Sequence, residues 1–264
     1  MQTQPPTLLY LVFGGEEYFR QALFSILSAK GQAGADPLHI VVYTDQPARF
    51  APLGCETVTL DAAQLQAWRG PENYTFRPKI EMLRDAAQRF PGPWAWVDVD
   101  TQWRASPASL FVELKPGRVF MHCVENHMDD LPTHPQKGSY GRFLLDHAVA
   151  IQRELGVKVN EKFIEWNGGL IAYGPDSAAL LDDVLRINDW LLTRVPERWF
   201  VEQFSFSLAF GQCEIVAAEP YVLHYWPYKK HADAAIQDFM LATAEQDVAT
   251  RAAEAVDVDL CAAL

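Results

Sequence analysis

Two rhythms of apolar positions run along the chain. One is the short continuous apolar run that reads as a buried strand, and the other is the three-to-four spacing of an amphipathic helix. Thr7 to Phe13 (TLLYLVF) is the first run, and it stops at Gly14-Gly15. Glu16 to Lys30 then sets Phe19, Leu23, Phe24 and Leu27 at helical spacing, with Gly31 and Gly34 expected to end the helix. A second run, Leu38 to Tyr43, closes on Thr44-Asp45, and Glu56 to Leu60 adds a short third. This β-α-β opening predicts a parallel sheet with a right-handed crossover. Ligands bind beyond the carboxyl ends of such strands, so Phe13, Thr44 and Asp45 are candidate substrate contacts.

Pro71 to Phe76 reads as a loop, and Arg77 to Phe90 as a helix with Pro78 in its first turn. After Pro91-Gly92-Pro93 comes the run Trp94 to Thr101 (WAWVDVDT), a strand ending on two acids. A short helix from Ser106-Pro107 to Phe111 and a strand from Arg118 to Val124 follow. Asn126 to Gly138 is polar, with two prolines, and is expected to be a loop or lid over a site. Tyr140 to Leu155 reads as a helix, and Phe163 to Tyr173 as one strand interrupted by Gly168-Gly169. Pro175 to Leu192 and Pro196 to Phe210 are helical, and Cys213 to Ala217 and Tyr221 to Tyr225 are late strands. From Ala232 onward the chain is acidic, alanine-rich and helical in pattern. With no internal repeat and no linker, the pattern predicts one α/β domain.

Composition narrows the partners. The 264 residues are 49% hydrophobic and 21% charged, an ordinary globular balance, with a formal net charge of -12. That charge argues against nucleic acid or an anionic membrane surface unless a local basic patch overrides it, and it means a phosphate-bearing substrate needs a cation or local Lys and Arg to offset repulsion. The four cysteines, Cys55, Cys123, Cys213 and Cys261, are scattered without a CxxC pair, which fits a reducing, cytoplasmic setting. The first residues do not resemble a signal peptide, and no apolar run nears the ~20 residues of a transmembrane helix. Cys261-Ala262-Ala263-Leu264 fits a prenylation box only formally, since no basic segment precedes it.

Chemistry gathers at a few places. In an extended chain residues i and i+2 share a face, so Asp98 and Asp100 can seat a divalent cation together. His224, in Leu223-His224-Tyr225-Trp226-Pro227-Tyr228-Lys229-Lys230, is a candidate further ligand. An imidazole beside two carboxylates suits Mn²⁺ better than Ca²⁺. Lys229 and Lys230 stand within reach of anything bound there. Asn167-Gly168-Gly169 inside an apolar strand marks a bulge or a close approach by ligand or backbone. Glu202-Gln203 interrupts an apolar stretch and is a candidate polar contact. Arg77 and Lys79 stand at a helix N-terminus, where the macrodipole disfavours cations, which points to an anionic partner.

Taken in order, these features resemble GT-A glycosyltransferases: the β-α-β opening, an arginine-lysine helix, a strand ending in Asp-x-Asp, an Asn-small-Gly strand, a Gln-bearing helix and a late His-Tyr-x-x-x-Lys run. The family 8 (galactosyltransferase, glycogenin-like) group is the nearest match, over Leu8 to Lys230. The resemblance implies a GT-A-type domain over residues 1–230, with a Rossmann-like mixed, mainly parallel sheet flanked by helices. The resemblance does not cover residues 231–264, which are expected to form a helical tail that packs on this domain or extends from it.

The resemblance also implies roles. Asp98, Asp100 and His224 hold Mn²⁺ or Mg²⁺, and Lys229 or Lys230 neutralises the leaving diphosphate. Arg77, with Lys79 beside it, reaches the donor. Asn167, in its Asn167-Gly168-Gly169 setting, meets the donor sugar, and Gln203 lies near the anomeric carbon. Glu125 matches an acid that handles the sugar, and Glu202 stands where the family usually has Asp. The implied reaction is sugar transfer, with retention, from a nucleotide-diphosphate sugar to an unidentified acceptor. The donor is a UDP-sugar by analogy, although Gly14-Gly15 stands where the family carries a base-reading acid. Trp190, Trp199, Trp226 and Tyr228 are candidates to stack on sugar rings.

Other readings fit less well. A haloacid-dehalogenase phosphatase usually has Thr or Val where Gln102 stands. A nucleotidyltransferase usually has a basic glycine-rich loop where Gly14-Gly15-Glu16-Glu17 is acidic. A non-catalytic nucleotide-sugar-binding protein is the alternative of a different class.

Overall fold

The computed structural model describes residues 5–195 and 197–261. In chain order its elements are β1 (Thr7–Val12), α1 (Glu16–Ala33), β2 (His39–Thr44), β3 (Glu56–Thr59), α2 (Ala62–Arg69), α3 (Arg77–Arg89), β4 (Trp94–Val97), β5 (Thr101–Trp103), α4 (Pro107–Glu113), β6 (Arg118–Met121), β7 (Val124–His127), α5 (Gly138–Asp146) and α6 (Ala148–Leu155). They continue with β8 (Ile164–Trp166), β9 (Leu170–Tyr173), α7 (Leu180–Leu192), α8 (Val201–Phe210), β10 (Glu214–Ala217), β11 (Val222–His224), α9 (Lys229–Ala242) and α10 (Val248–Asp257). No helix among the described residues is long and apolar enough to cross a membrane.

A central sheet runs β10-β6-β9-β4-β1-β2-β3. All its neighbours are parallel except β9, which is antiparallel to β4 and β6. Helices cover both faces, which is why the central strands read as unbroken apolar runs. Along β1, Leu9 belongs to one core with Tyr43, Trp96 and residues of α3, α7 and α8. Leu8, Tyr10 and Val12 belong to the other, with residues of α1, α9 and α10. Two small antiparallel sheets, β5–β11 and β7–β8, stand beside the central one.

Several sequence expectations change. Gly31 lies inside α1 and does not end it; the C-cap is Gly34. A Cβ on Gly31 would sit 2.1 Å from the Ala252 carbonyl oxygen, so this glycine lets α10 approach α1 closely. The segment Phe163 to Tyr173 is two strands in two sheets, because Asn167-Gly168-Gly169 carries the chain from β8 to β9. Tyr140 to Leu155 breaks at His147 into α5 and α6. Helix α7 begins at Leu180 after a series of turns, and α8 begins at Val201. Pro196, expected to open α8, lies outside the described residues, as do residues 262–264 of the formal prenylation box. Helix α2, capped by Asp61 on the Gln64 amide, was not foreseen.

Candidate functional site

The strand pairings bring the chemistry together. Asp98 follows the last residue of β4, and its amide donates to the Gly169 carbonyl at 2.9 Å, so the entrance to β9 lies against the end of β4. The β5–β11 register sets His224 opposite Thr101, and the Tyr225 amide donates to the Asp100 carbonyl at 3.1 Å. Asp98 and Asp100 are therefore not on one extended strand as the sequence suggested. They sit on the bend between β4 and β5, which Thr101 Oγ1 closes by donating to the Asp98 carbonyl at 2.7 Å.

One carboxylate oxygen each from Asp98 and Asp100 and a ring nitrogen of His224 lie within 4.8 Å of one another. His224 Nε2 is 3.4 Å from Asp100 and 3.8 Å from Asp98. Its Nδ1 faces Asn167 Oδ1 at 3.0 Å, and that oxygen can only accept, so the proton resides on Nδ1 and Nε2 is left to act as a ligand. Two carboxylates and one oriented imidazole fit Mn²⁺ or Mg²⁺ as a donor set. Burial works to raise the pKa of both acids. Asp100 is nonetheless held well below the usual carboxylate range by His224 and by Lys229, whose Nζ lies 3.2 Å away. Asp98 accepts from the Trp96 indole at 3.0 Å but has only longer contacts to the cations Lys79 and His224, and burial pushes it up.

Of the cluster, Asp98 and His224 line a cavity of about 430 Å³, while Asp100 lies outside its lining. Of the candidate residues, Phe13, Lys79, Asp98, Glu125, Asn167, Gly168, Gly169, Glu202, Gln203 and His224 line it. Both Glu202 and Gln203 are buried on α8, a helix with no exposed residue. Lys79 Nζ donates to the Gly168 carbonyl at 2.7 Å and pairs with Glu202 at 2.7 Å. Burial pushes Glu202 up in spite of that partner. Asn167 Oδ1 also accepts from the Gly169 amide at 2.8 Å, and Asn167 Nδ2 donates to Glu125 Oε1.

Other candidates lie elsewhere. The Arg77 guanidinium is held by Asp189, Glu81 and the Trp68 carbonyl, and it does not line the cavity. Arg77 and Lys79 are two positions apart on α3 and so face different sides; Lys79 is the one that reaches the pocket. Thr44 and Asp45 are also outside the lining, with Thr44 Oγ1 accepting from the Gln46 amide at 3.1 Å. Lys229 meets Asp100, while Lys230 is exposed. The stretch 126–138 contributes no lining residue, so it is not a lid on this cavity. It instead sends Lys137 beneath the floor, where the ammonium pairs with Glu125 and with Glu165.

Sequence reasoning missed Glu165 and Lys137. An acid inside the apolar run Phe163-Ile164-Glu165-Trp166 was the available signal, since a buried carboxylate requires partners. It also missed Tyr18 and Phe76 at the cavity mouth, where they join Trp199 and Trp226. Trp190 and Tyr228 are not part of that wall.

No protein-family model and no curated protein matches the sequence. Solved structures match in fold. Mouse xyloside xylosyltransferase 1, in its apo form, superposes with a TM-score of 0.52 at 12% identity, over 81% of this chain and 85% of that one. The galactosyltransferase LgtC, in complex with donor and acceptor sugar analogs, gives 0.53 at 11% identity, over 80% of this chain and 73% of that one. The bifunctional glycosyltransferase WbbM, in its apo form, gives 0.53 at 13% identity, over 94% of this chain and 45% of that one. The chain has the GT-A glycosyltransferase fold.

Proposed function

We propose that this chain is a metal-dependent glycosyltransferase that moves a sugar from a nucleotide-diphosphate sugar, a UDP-sugar by analogy, to an acceptor with retention of configuration. The observation that carries the reading is the Asp98, Asp100 and His224 cluster at the rim of a cavity whose floor holds Glu125, Asn167 and Gln203. Cleaving a glycosyl diphosphate leaves negative charge on the departing phosphate, and in a chain of net charge -12 that charge needs local cations. A bound Mn²⁺ or Mg²⁺ supplies that neutralisation. The protein's own part is to hold the two carboxylates and the His224 ring in place and to offer Lys229 or Lys230 to the diphosphate. In this reading Glu125 and Asn167 orient the donor sugar and Gln203 faces the reacting carbon. Lys79, which lines the cavity and pairs with Glu202, takes in this reading the donor-reaching role that the resemblance implies for Arg77.

A thermal-shift measurement tests this. Ligand at 100 times its dissociation constant stabilises by about 2.7 kcal/mol. UDP with Mn²⁺ should therefore raise the Tm clearly, whereas UDP with EDTA should not, and Asp100→Ala should abolish the effect. Equal stabilisation by UDP with and without metal, unchanged in Asp100→Ala, would remove the proposal. Binding with no release of UDP from any UDP-sugar, across an acceptor panel, would favour a binding protein.

A further inference from the structure

Beneath the cavity lies a charge cluster that the reading above leaves without a task. Glu165 is at the middle of β8 with no exposed surface, and Lys137 is 4% exposed. Lys137 Nζ donates to Glu165 Oε1 at 2.7 Å and to Glu125 Oε2, and it lies 4.3 Å from the centroid of the Phe200 ring. Gln203 Nε2 donates to the same two carboxylate oxygens, at 2.6 Å to Glu165 and 3.0 Å to Glu125. The remaining Glu165 oxygen accepts from Asn126 Nδ2 at 2.6 Å. Replacing a buried ion pair with apolar residues is often neutral or stabilising, so an acid kept inside an apolar strand calls for a role other than stability.

We infer that Lys137 and Glu165 are positioning residues for the cavity, fixing the Gln203 side-chain amide with its nitrogen toward the floor and its carbonyl oxygen toward the bound sugar. The inference rests on the donor-site reading. The two ends of an amide are nearly identical in shape, and hydrogen-bond partners alone decide which way it faces. Ionised carboxylates only accept, so Glu125 and Glu165 together require the NH₂ end. Two such carboxylates repel each other, and the Lys137 ammonium between them makes the arrangement tenable.

The same network continues to the metal-binding residues. Glu125 accepts from Asn167, and Asn167 Oδ1 holds His224. Burial pushes Glu165 up even with Lys137 beside it. Burial acts on Glu125 in the same direction, but Lys137, Asn167 and Gln203 hold it below its usual range. Without Lys137, burial acts on Glu165 with its opposing cation gone and the two carboxylates lose the ammonium between them, so Gln203 loses the arrangement that holds it one way.

The test compares wild type with Lys137→Met, Lys137→Arg and the double variant Lys137→Met/Glu165→Gln. The double variant removes one positive and one negative charge together and leaves the net charge of the cluster as in wild type, so it is the variant expected to fold if the single substitution does not. Calorimetry gives the Kd for UDP with Mn²⁺, and UDP release from UDP-galactose or UDP-glucose gives kcat. Misplacing a reacting group by about 1 Å can cost on the order of 100-fold in rate. Lys137→Met and the double variant should lose at least about 10-fold in kcat and keep the Kd for UDP within about 3-fold. Lys137→Arg should recover part of the rate. An unchanged kcat in the folded double variant overturns the inference, and so does a loss of UDP affinity matching the loss of rate. Wild-type protein that fails to bind UDP with Mn²⁺ overturns the donor-site reading itself, and protein that binds it but releases none from any UDP-sugar across the acceptor panel overturns the transferase reading.

Discussion

Glu165 states most plainly what single residues do in this protein. Its pKa is raised from 4.5, with burial the largest cause, so between the unfolded and folded values the native state binds more protons than the unfolded chain. Stability attributable to this group therefore falls as pH rises above 4.5 through the folded value. Glu165→Gln removes the titration and can still accept from Gln203. Urea unfolding should show the variant gaining on wild type as pH rises through that window, then holding a constant difference. A stability difference that is flat across the window, or that shrinks, would contradict the burial argument. The paired cations Arg77 and Lys79 show the limit of reading residues from sequence. Both were recognisable as charges at a helix N-terminus, but which of them faces the cavity depends on how α3 is rotated against α7 and α8. Packing sets that rotation: Asp189 on α7 claims Arg77, and Glu202 on α8 claims Lys79.

At the scale of elements, the strands buried on both faces were the most legible. A short unbroken apolar run bounded by glycine or proline is too brief for a helix and too uniform for a strand with one face in water. β1, β2 and β4 lie within a residue or so of their expected cores, apart from the acids at the end of β4. The junctions were less legible. Asn167-Gly168-Gly169 reads as an interruption within one strand that marks a bulge or a close approach, whereas it separates two strands and admits side chains from three other elements. A Cβ at Gly168 would meet Lys79 Nζ at 2.9 Å, and one at Gly169 would meet His224 Nδ1 at 2.2 Å. Gly169→Ala should therefore push the His224 ring from its place beside Asp98 and Asp100. Overpacking of this kind costs about 1–3 kcal/mol of stability. The more specific expectation is that Gly169→Ala loses the Mn²⁺-dependent rise in Tm with UDP. Gly211→Ala is the control, since its Cβ would meet nothing closer than 3.2 Å, and it should retain the rise. Equal responses in the two variants would mean that the close approach at Gly169 does not hold His224.

The whole molecule joins the tail to the bend that carries Asp98 and Asp100, and no local pattern could have announced it. Sequence periodicity identified the end of the chain as helical but not what it packs against. In the structure α10 lies on α1 at Gly31, and Ala252 and Ala255 are in the core. Gln102, two residues beyond Asp100 and fully buried, donates from Nε2 to the Ala255 carbonyl at 3.1 Å and to the Val258 carbonyl at 2.8 Å. The strand that follows the Asp98–Asp100 bend is thus fastened to the last helix, some 150 positions away in sequence. Gln102→Met keeps the volume of the side chain and removes both donors, leaving two carbonyls unpaired at a typical cost of about 1–3 kcal/mol for a buried group. If the tail braces the bend, the loss extends to the site: a coupling of about 1 kcal/mol weakens UDP binding with Mn²⁺ roughly 5-fold. Hydrogen exchange should then rise in α10 and over residues 98–103 together. Faster exchange confined to α10, with the Kd for UDP unchanged, would show that the tail covers α1 without supporting the site. Faster exchange in both places would make the tail part of the framework of the proposed donor site, although no residue of it lines the cavity.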